Sequence, residues 1–199
     1  METASEFEVP TWNQIYAMLL SQAEKIQQSG FKPDGIVGIT RGGWIPARVL
    51  SDLLGIPDLA VVRVEFYLGV AETRNAPVLT QDVSADVRDK KVLLVDDVTD
   101  TGESLQLARA HLQQQGATEV RVATVYHKPF SIIKPDYYEK KTRSWVLFPW
   151  EIRETIRKIV EKHQGKNTVN LDAAKLVKAG LPKQLVEEFL KEVLEERNC

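Results

Sequence analysis

The sequence predicts an α/β fold, a mostly parallel sheet flanked by helices, with a C-terminal helical extension. Short apolar runs at 36–39, 59–66, 92–95 and 120–126 have the length and β-branched character of buried strands. Helical segments separate these runs along the chain, and such alternation is typical of a parallel sheet. A chain of 199 residues has room for one domain of ordinary size and an appendage.

Two helices are predicted before the longest loop. Thr11 and Gln14 have the spacing of a capping box, and apolar residues follow at helical intervals up to Gly30. A second helix is expected from Trp44 to Leu54, with Gly55 ending it. Both would lie against the sheet through their apolar faces.

Two stretches lack a clear period. Residues 67–90 contain glycine, asparagine, proline and scattered charges, and they predict a long mobile loop that closes over a site. A short strand around Val78 and Leu79 is an alternative within that loop. Residues 129–143 are likewise expected to be irregular.

The remaining elements of the main domain follow the strand at 92–95. A helix is predicted from about 102 to 115, with Gly116 as the residue that ends it. A short strand at 144–148 and a helix starting near Trp150 complete the pattern.

The C-terminal residues differ in character from the rest. Residues 165–167 are expected to form a linker, Asn170 to cap a helix through Ala179, and Pro182 to begin another helix. We therefore predict a domain at 1–163 and a helical extension at 164–199. The amphipathic extension either packs on the core or a second subunit, or serves as a binding module for another macromolecule.

The most informative segment is a strand, a turn and a helix start at 92–104. Asp96 and Asp97 stand at the carboxyl end of the strand, where open α/β sheets bind ligands. The turn from Asp100 to Ser104 opens a helix, whose unpaired N–H groups can hold a phosphate. Because carboxylates repel phosphate, the acidic pair is better suited to sugar hydroxyls or a nearby cation. These features predict a site for a phosphorylated sugar, against the alternative of an ordinary capped helix.

A second motif lies at residues 40–43, Thr-Arg-Gly-Gly, at the end of the first predicted strand and at the same edge of the sheet. Glycines allow the backbone to approach a ligand, and the Arg41 guanidinium suits a diphosphate. A simple tight turn would explain the glycines alone. The segment matches neither a Walker A sequence nor the Rossmann fingerprint.

The bulk properties exclude several classes of function. A net charge of −2 argues against nucleic-acid binding, and no apolar run is long enough for a membrane span. The acidic N-terminus lacks the features of a signal peptide, and Cys199 is the only cysteine. The three histidines have no metal-ligand spacing. We expect a cytoplasmic protein that binds neither nucleic acid nor membrane.

The segment at 92–104 resembles the phosphoribosyl-pyrophosphate (PRPP) signature of the type I phosphoribosyltransferases. Thr99 departs from the pattern, since the family often has an aliphatic residue there. Residues 40–43 fall where this family has its pyrophosphate loop. The resemblance covers about residues 10–160, and it implies Mg²⁺ as cofactor and a homodimer as the usual assembly.

Two later segments, residues 126–129 and 145–151, are similar to the purine-binding segments of the 6-oxopurine branch, most of all its microbial xanthine-guanine type. By this resemblance, Lys128 donates to the purine O6, Trp145 stacks on the ring, and the Val146 carbonyl meets a base N–H or amino group. Glu151 would coordinate magnesium, with contacts from Asp96 and Asp97 through water as a further expectation.

The implied reaction is transfer of ribose 5-phosphate from PRPP to N9 of guanine, xanthine or hypoxanthine, with release of pyrophosphate. Asp96 and Asp97 would bind the ribose, and Asp100 would exchange a proton at purine N7. The pyrophosphate would be held by Thr40, Arg41 and Gly42. The 5-phosphate would be held by Asp100, Thr101, Gly102, Glu103 and Ser104. Two alternatives remain: a regulator that senses PRPP or a nucleotide on the same fold, and a phosphoribosyltransferase for another base.

Overall fold

The computed structural model describes residues 6–68, 75–162 and 166–197. The chain divides into two compact units. We call Ile15–Arg143 the sheet unit, and Met1–Gln14 together with Ser144–Cys199 the terminal unit. The elements in chain order are β1 (Phe7–Glu8), α1 (Trp12–Gln28), β2 (Gly35–Thr40), α2 (Trp44–Leu54), β3 (Leu59–Leu68), β4 (Asn75–Gln81), β5 (Lys91–Thr99), α3 (Glu103–Gln114), β6 (Glu119–His127), β7 (Tyr137–Lys141), β8 (Trp145–Val146), α4 (Ile152–Lys162), α5 (Lys166–Lys178) and α6 (Lys183–Arg197).

The sheet unit contains a six-stranded sheet in the order β4-β3-β2-β5-β6-β7. All neighbouring strands are parallel except β3 and β4, which are antiparallel. On one face, α3 packs on an apolar cluster built from alternate strand residues, among them Val62 and Val64 of β3 and Val92 and Leu94 of β5. The predicted α/β fold class, with its mostly parallel sheet and its C-terminal helices, is confirmed.

The connections of β2 and β5 create a crevice at the carboxyl edge of the sheet. From β2 the chain passes through α2 to β3 on one side, and from β5 through α3 to β6 on the other. Pairing of β2 with β5 ends at Gly38 and Val95, whereas β5 continues beside β6 to Thr99. Ligands of open α/β sheets bind at such a change of direction.

The predicted helix ends follow the expected backbone chemistry. Thr11 Oγ1 accepts a hydrogen bond from Gln14 N at 3.2 Å, while Gln14 Oε1 accepts one from Thr11 N at 2.8 Å. This is a complete capping box at the start of α1. Gly55 and Gly116 follow α2 and α3 with φ values of +67° and +95°. Glycine adopts such positive φ values without the steric strain that other residues would have.

Both segments predicted as irregular contain an edge strand. Within 67–90, β4 occupies Asn75–Gln81, which agrees with the strand allowed around Val78 and Leu79 and shortens the predicted loop; residues 69–74 lie outside the described part of the chain. Within 129–143, β7 occupies Tyr137–Lys141. Edge strands have one unpaired side and carry polar or proline residues, which weakens the apolar signal used for prediction.

The terminal unit has its own core. Strands β1 and β8 form a two-stranded parallel sheet, so the strand predicted at 144–148 is reduced to Trp145–Val146. Helices α4, α5 and α6 pack on each other. Their shared apolar cluster consists of Leu147, Ile156, Val160, Val169, Leu176, Leu181, Val186 and Val193. The division between units therefore differs from the boundary predicted at 163–164, because α4 shares its core with the extension.

The extension itself forms two helices, as predicted, with a different start. Helix α5 begins at Lys166 rather than at Asn170, so the expected linker is helical from that residue onward. Gly180 ends the hairpin turn with a φ of +119°, and Pro182 immediately precedes α6. Among the described residues, no helix has both the length and the apolar character needed to cross a membrane.

Candidate active site

The turn at 100–104 forms one side of a cavity in the sheet unit. Asp100, Thr101, Gly102 and Ser104 line a space of about 150 Å³, together with Asp96. Gly102 precedes α3, and no side chain caps that helix end. The Glu103 N–H donates to the Thr101 hydroxyl in a long hydrogen bond of 3.4 Å, and the cap residue Gly102 has no side chain to bind the next N–H groups, an arrangement that suits a phosphate.

Gly102 is needed at this turn for two reasons. Its φ is +89°, and an added methyl group would lie 2.7 Å from Ile133 Cγ2 as well as against Ser131. Ile132 N donates to Thr101 O at 2.9 Å, which ties the following loop to the turn. This contribution of residues 131–133 was not predicted, because the segment carries no periodic or motif signal of its own.

Glu103 behaves differently from its neighbours in the turn. Its side chain does not line the cavity; instead its Oε2 lies 3.4 Å from the Thr101 hydroxyl. The same hydroxyl lies 3.4 Å from Glu103 N. Any contact of Glu103 with a phosphate would therefore come from its backbone.

The two adjacent carboxylates point to opposite faces of the sheet. Asp96 lies on the α3 face and lines the cavity, while Asp97 lies on the other face beside Gly42. Successive residues of a strand alternate in this way. Asp97 is buried, and its N–H donates to Asp96 Oδ1 at 3.0 Å. The acidic pair is thus two positions with different neighbours rather than one doubled site.

The loop at 40–43 lies against this second carboxylate. A methyl group at Gly42 would come within 2.6 Å of the Asp97 carboxyl carbon, and one at Gly43 would lie 2.8 Å from Ile39 O. The Thr40 hydroxyl donates to Val62 O at 3.3 Å, and the Thr40–Arg41 peptide bond is cis. Arg41 itself is exposed. The glycines therefore bring the loop backbone into contact with the end of β5.

Thr99, the departure from the family pattern, is fully buried and hydrogen-bonded. Its hydroxyl lies 2.9 Å from the Thr124 hydroxyl, which donates to Tyr126 O at 2.9 Å. Gln22 of α1 donates to Thr124 O at 2.8 Å. A threonine is accommodated here because a second threonine on β6 pairs with it.

The end of β6 places Lys128 next to β5. Lys128 is 5% exposed, and its N–H donates to Thr99 O at 2.9 Å. His127, before it, is also buried, and its Nδ1 has no hydrogen-bond partner. Burial lowers the pKa of His127 below its ordinary value of 6.5, and the charges of Lys141 and Lys134 act in the same direction.

The other predicted base-binding and metal residues belong to the terminal unit. Trp145 is 52% exposed, whereas Val146 is buried. Trp145 N donates to Glu6 O, just before β1, and Leu147 N donates to Glu8 O of β1, so the Val146 carbonyl between them is directed away from that strand. Glu151 Oε1 accepts a hydrogen bond from Phe148 N at 3.2 Å, which stabilises the turn before α4.

In the residues that the structure describes, no group of three or more histidine, cysteine, aspartate or glutamate side chains could hold a metal by itself. Mg²⁺ in proteins usually keeps several waters and binds through one or two carboxylates plus substrate phosphates. Asp96 or Asp97 could be one of these carboxylate ligands. The described residues form no dedicated cage of protein ligands around a metal.

Comparison with known proteins identifies the family of this chain. The model of the phosphoribosyl transferase domain family matches residues 11–157. A xanthine-guanine phosphoribosyltransferase of Gluconobacter oxydans is 32% identical over 143 residues, which is 71% of this chain and 82% of the relative.

Solved structures give the same result. A purine phosphoribosyltransferase from Pyrococcus horikoshii has a TM-score of 0.67 and 39% identity, covering 73% of this chain and 93% of the other. A hypothetical protein from Neisseria gonorrhoeae with bound ppGpp has a TM-score of 0.66 and 26% identity, with coverage of 75% and 92%. The chain belongs to the phosphoribosyltransferase family, the one whose signature its sequence resembles.

Proposed function

We propose that this enzyme transfers ribose 5-phosphate from PRPP to N9 of a 6-oxopurine, releasing pyrophosphate and a purine nucleoside monophosphate, as in purine salvage. The observation that carries the proposal is that the two loops follow the adjacent parallel strands β2 and β5 and so lie at the same edge of the sheet. The cavity at 100–104 suits the 5-phosphate, and the 40–43 loop beside Asp97 suits the diphosphate. The relatives named as xanthine-guanine and purine phosphoribosyltransferases support this substrate class.

The reaction breaks the bond between the anomeric carbon and the diphosphate oxygen, and the electron pair leaves with the diphosphate. Purine N9 forms the new bond to that carbon, and the base loses a proton. Arg41 and the backbone around Gly42 would stabilise the departing diphosphate. Rate enhancement then comes from positioning and electrostatic stabilisation, without a nucleophilic side chain.

Asp100 is proposed as the group that exchanges the proton at purine N7. Its carboxylate is exposed and lies on the wall of the cavity, between the acidic end of β5 and the start of α3. Asp96, on the same wall, would accept hydrogen bonds from ribose hydroxyls. Asp97, at the 40–43 loop, would serve the ribose or the diphosphate side.

Mg²⁺ is proposed as the cofactor, because a diphosphate leaving group needs its charge neutralised. Asp96 and Asp97 were both predicted to hold the ion through water; because they point to opposite faces of the sheet, one of the two would do so, with the diphosphate oxygens supplying further ligands. Glu151 stays a second candidate ligand from the sequence, although its carboxylate already accepts the Phe148 N–H.

Lys128, Trp145 and Val146 are proposed to bind the base. Lys128 carries only hydrogen-bond donors, so it complements an oxo group at C6 and disfavours an amino group. The exposed Trp145 ring offers a stacking face, and the Val146 carbonyl an acceptor that is not directed at β1. The homodimer and the cytoplasmic location stay predictions.

The test is to incubate the protein with PRPP, Mg²⁺ and each common nucleobase, and to measure nucleotide and pyrophosphate. We expect transfer to guanine, hypoxanthine or xanthine, none in excess EDTA, and rejection of adenine by about 10⁴ in kcat/KM. Lys128→Met should reduce that discrimination. Use of adenine as efficiently as guanine by the unmodified protein would overturn the 6-oxopurine assignment.

A second candidate function is regulatory binding of a guanine nucleotide at the same site. The observation in its favour is the Neisseria gonorrhoeae structure, which holds ppGpp on a similar fold. The transfer assay separates the two, because a sensor would bind nucleotide without producing pyrophosphate.

A further inference from the structure

Two buried threonines join the carboxyl ends of β5 and β6. Thr99 and Thr124 are both fully buried, and their hydroxyl oxygens lie 2.9 Å apart. The Thr124 hydroxyl donates to Tyr126 O at 2.9 Å. Because a hydroxyl carries a single proton, Thr124 has none left for Thr99, so the Thr99 hydroxyl is the donor within the pair. The hydrogen bonds therefore run in one direction, from Thr99 through Thr124 to the backbone of β6.

The backbone of Thr99 makes a second connection to the same strand end. Thr99 lies opposite His127 in the parallel register, and its carbonyl accepts the Lys128 N–H at 2.9 Å. The two connections reach β6 on either side of His127, at Tyr126 O and at Lys128 N. The side chain and the backbone of Thr99 thus both determine where the end of β6 lies beside β5.

Thr124 is itself held in place from α1. Gln22 Nε2 donates to Thr124 O at 2.8 Å, and Gln22 is fully buried. Buried polar groups are costly to leave unpaired, and linked hydrogen bonds strengthen one another in a medium of low dielectric constant. The Thr99 hydroxyl therefore bonds to a partner whose own position is fixed by the core of the sheet unit.

The two residues that Thr99 connects have neighbouring tasks in the proposed reaction. Asp100 follows Thr99 in the chain and would act at purine N7, while Lys128 would donate to O6. These two atoms lie on the same edge of a guanine ring. Side chains that act on adjacent atoms of a rigid ring need a fixed spacing, because a displacement of about 1 Å in such a site can cost about 10² in rate.

We propose that Thr99 is a positioning residue for the purine base. Through Thr124 it holds Lys128 at the distance from Asp100 that suits the O6 and N7 edge. This role rests on the proposed function, which assigns these two tasks. It concerns the base rather than PRPP, because the phosphate-binding turn has a separate anchor in the hydrogen bond from Ile132 N to Thr101 O.

The test compares the KM for guanine with the KM for PRPP in variants of the full-length protein. Thr99→Val keeps the shape of the side chain without its hydroxyl, and we expect the KM for guanine to rise about 10-fold while the KM for PRPP changes little. Thr124→Val interrupts the same hydrogen bonds and should have the same effect. Thr99→Ser retains the hydroxyl and should retain the wild-type KM for guanine.

A matched control removes a buried hydroxyl elsewhere in the sheet unit. Ser51 of α2 donates to Ile56 O at 2.6 Å, at the opposite edge of the sheet, and Ser51→Ala should leave both KM values unchanged. KM does not depend on the fraction of folded enzyme, so a loss of stability alone does not raise it. A selective rise for guanine therefore reports on positioning.

A double-mutant cycle tests whether Thr99 acts through Lys128. In a Lys128→Met background, Thr99→Val should change the KM for guanine by less than about twofold, because the group that it positions is absent. The same 10-fold rise in that background overturns the proposal. So does an unchanged KM for guanine in both threonine-to-valine variants, or an equal rise in the KM for PRPP.

The wild-type transfer assay tests the proposed function separately. Transfer without an effect of Thr99→Val refutes only the positioning role. If the wild type transfers nothing, the proposed enzyme is refuted, and calorimetric titration of GMP then decides on Thr99. Weaker GMP binding by Thr99→Val, with wild-type binding by Thr99→Ser, would support the positioning of a purine ligand. Equal GMP binding by all three proteins, or none by the wild type, would overturn it.

Discussion

The loop at 40–43 and the turn at 100–104 both follow parallel strands and both contain glycine, yet they use it differently. Gly42 keeps a side chain out of the space that Asp97 occupies, and its φ is not positive. Gly102 has a φ of +89° and also faces Ser131 and Ile133. One glycine permits a close approach, while the other permits both an approach and a backbone conformation.

The glycine of the 40–43 loop therefore matters for the proposed binding site, whereas the glycine of the 100–104 turn also matters for the stability of the fold. The 40–43 loop packs against the Asp97 carboxylate, and the absence of a side chain at Gly42 leaves room for that carboxylate. The 100–104 turn accepts a hydrogen bond from Ile132 N at Thr101 O, and the absence of a side chain at Gly102 leaves room for Ser131 and Ile133 of the following loop. Substitutions in the two loops should therefore give distinguishable phenotypes.

The largest effect is expected for Asp100→Asn in the turn. We expect kcat to fall by about 10²- to 10⁴-fold, because a general base or acid is removed. PRPP binding should change little, since the N–H groups at the start of α3 remain. Steady-state kinetics with a titration of PRPP measures both quantities, and Asp52→Asn, at an exposed position of α2, is the control. Near-normal turnover would remove Asp100 from the proton transfer.

The elements that were predictable from sequence are those with a local physical cause. The strand at 92–95, the turn and the start of α3 could be predicted because an apolar run, a polar turn and a glycine follow one another in the sequence. The Thr11–Gln14 capping box and the helix ends at Gly55 and Gly116 were readable for the same reason.

What could not be predicted depends on contacts between distant parts of the chain. The opposite orientation of Asp96 and Asp97 follows from the strand continuing to Thr99, which pairing with β6 determines. Phe66 reaches the cavity at the 100–104 turn because β3 continues to Leu68, beyond the point where its neighbour β2 ends at Thr40. The core shared by α4 and the extension likewise joins residues such as Ile156 and Val193. No local pattern marks any of these.

The contrast between the two glycines gives the second prediction. Gly102→Ala should lower the free energy of unfolding by about 1–3 kcal/mol, because alanine is strained at positive φ and the added methyl meets residue 133. Gly55→Ala is the control for strain alone, since no atom lies within 4 Å of its added methyl. Gly42→Ala should cost less stability but lose activity, since Asp97 must move. Urea unfolding and PRPP kinetics test this, and a larger stability loss at Gly42 would reverse the comparison.

The smallest expected effect concerns His127, at a third strand end of the same edge. Burial lowers its folded-state pKa below the ordinary 6.5, with Lys141 and Lys134 contributing. Between these two pKa values the unfolded chain binds more protons, so the free energy of unfolding is fully retained above pH 6.5 and declines as the pH falls through the folded pKa. His127→Phe should make this decline shallower, as measured by urea unfolding from pH 7.5 to pH 5. Added salt should weaken only the lysine contribution, because exposed charges are screened while burial is not. An equally steep decline in the variant would show that His127 is not its source.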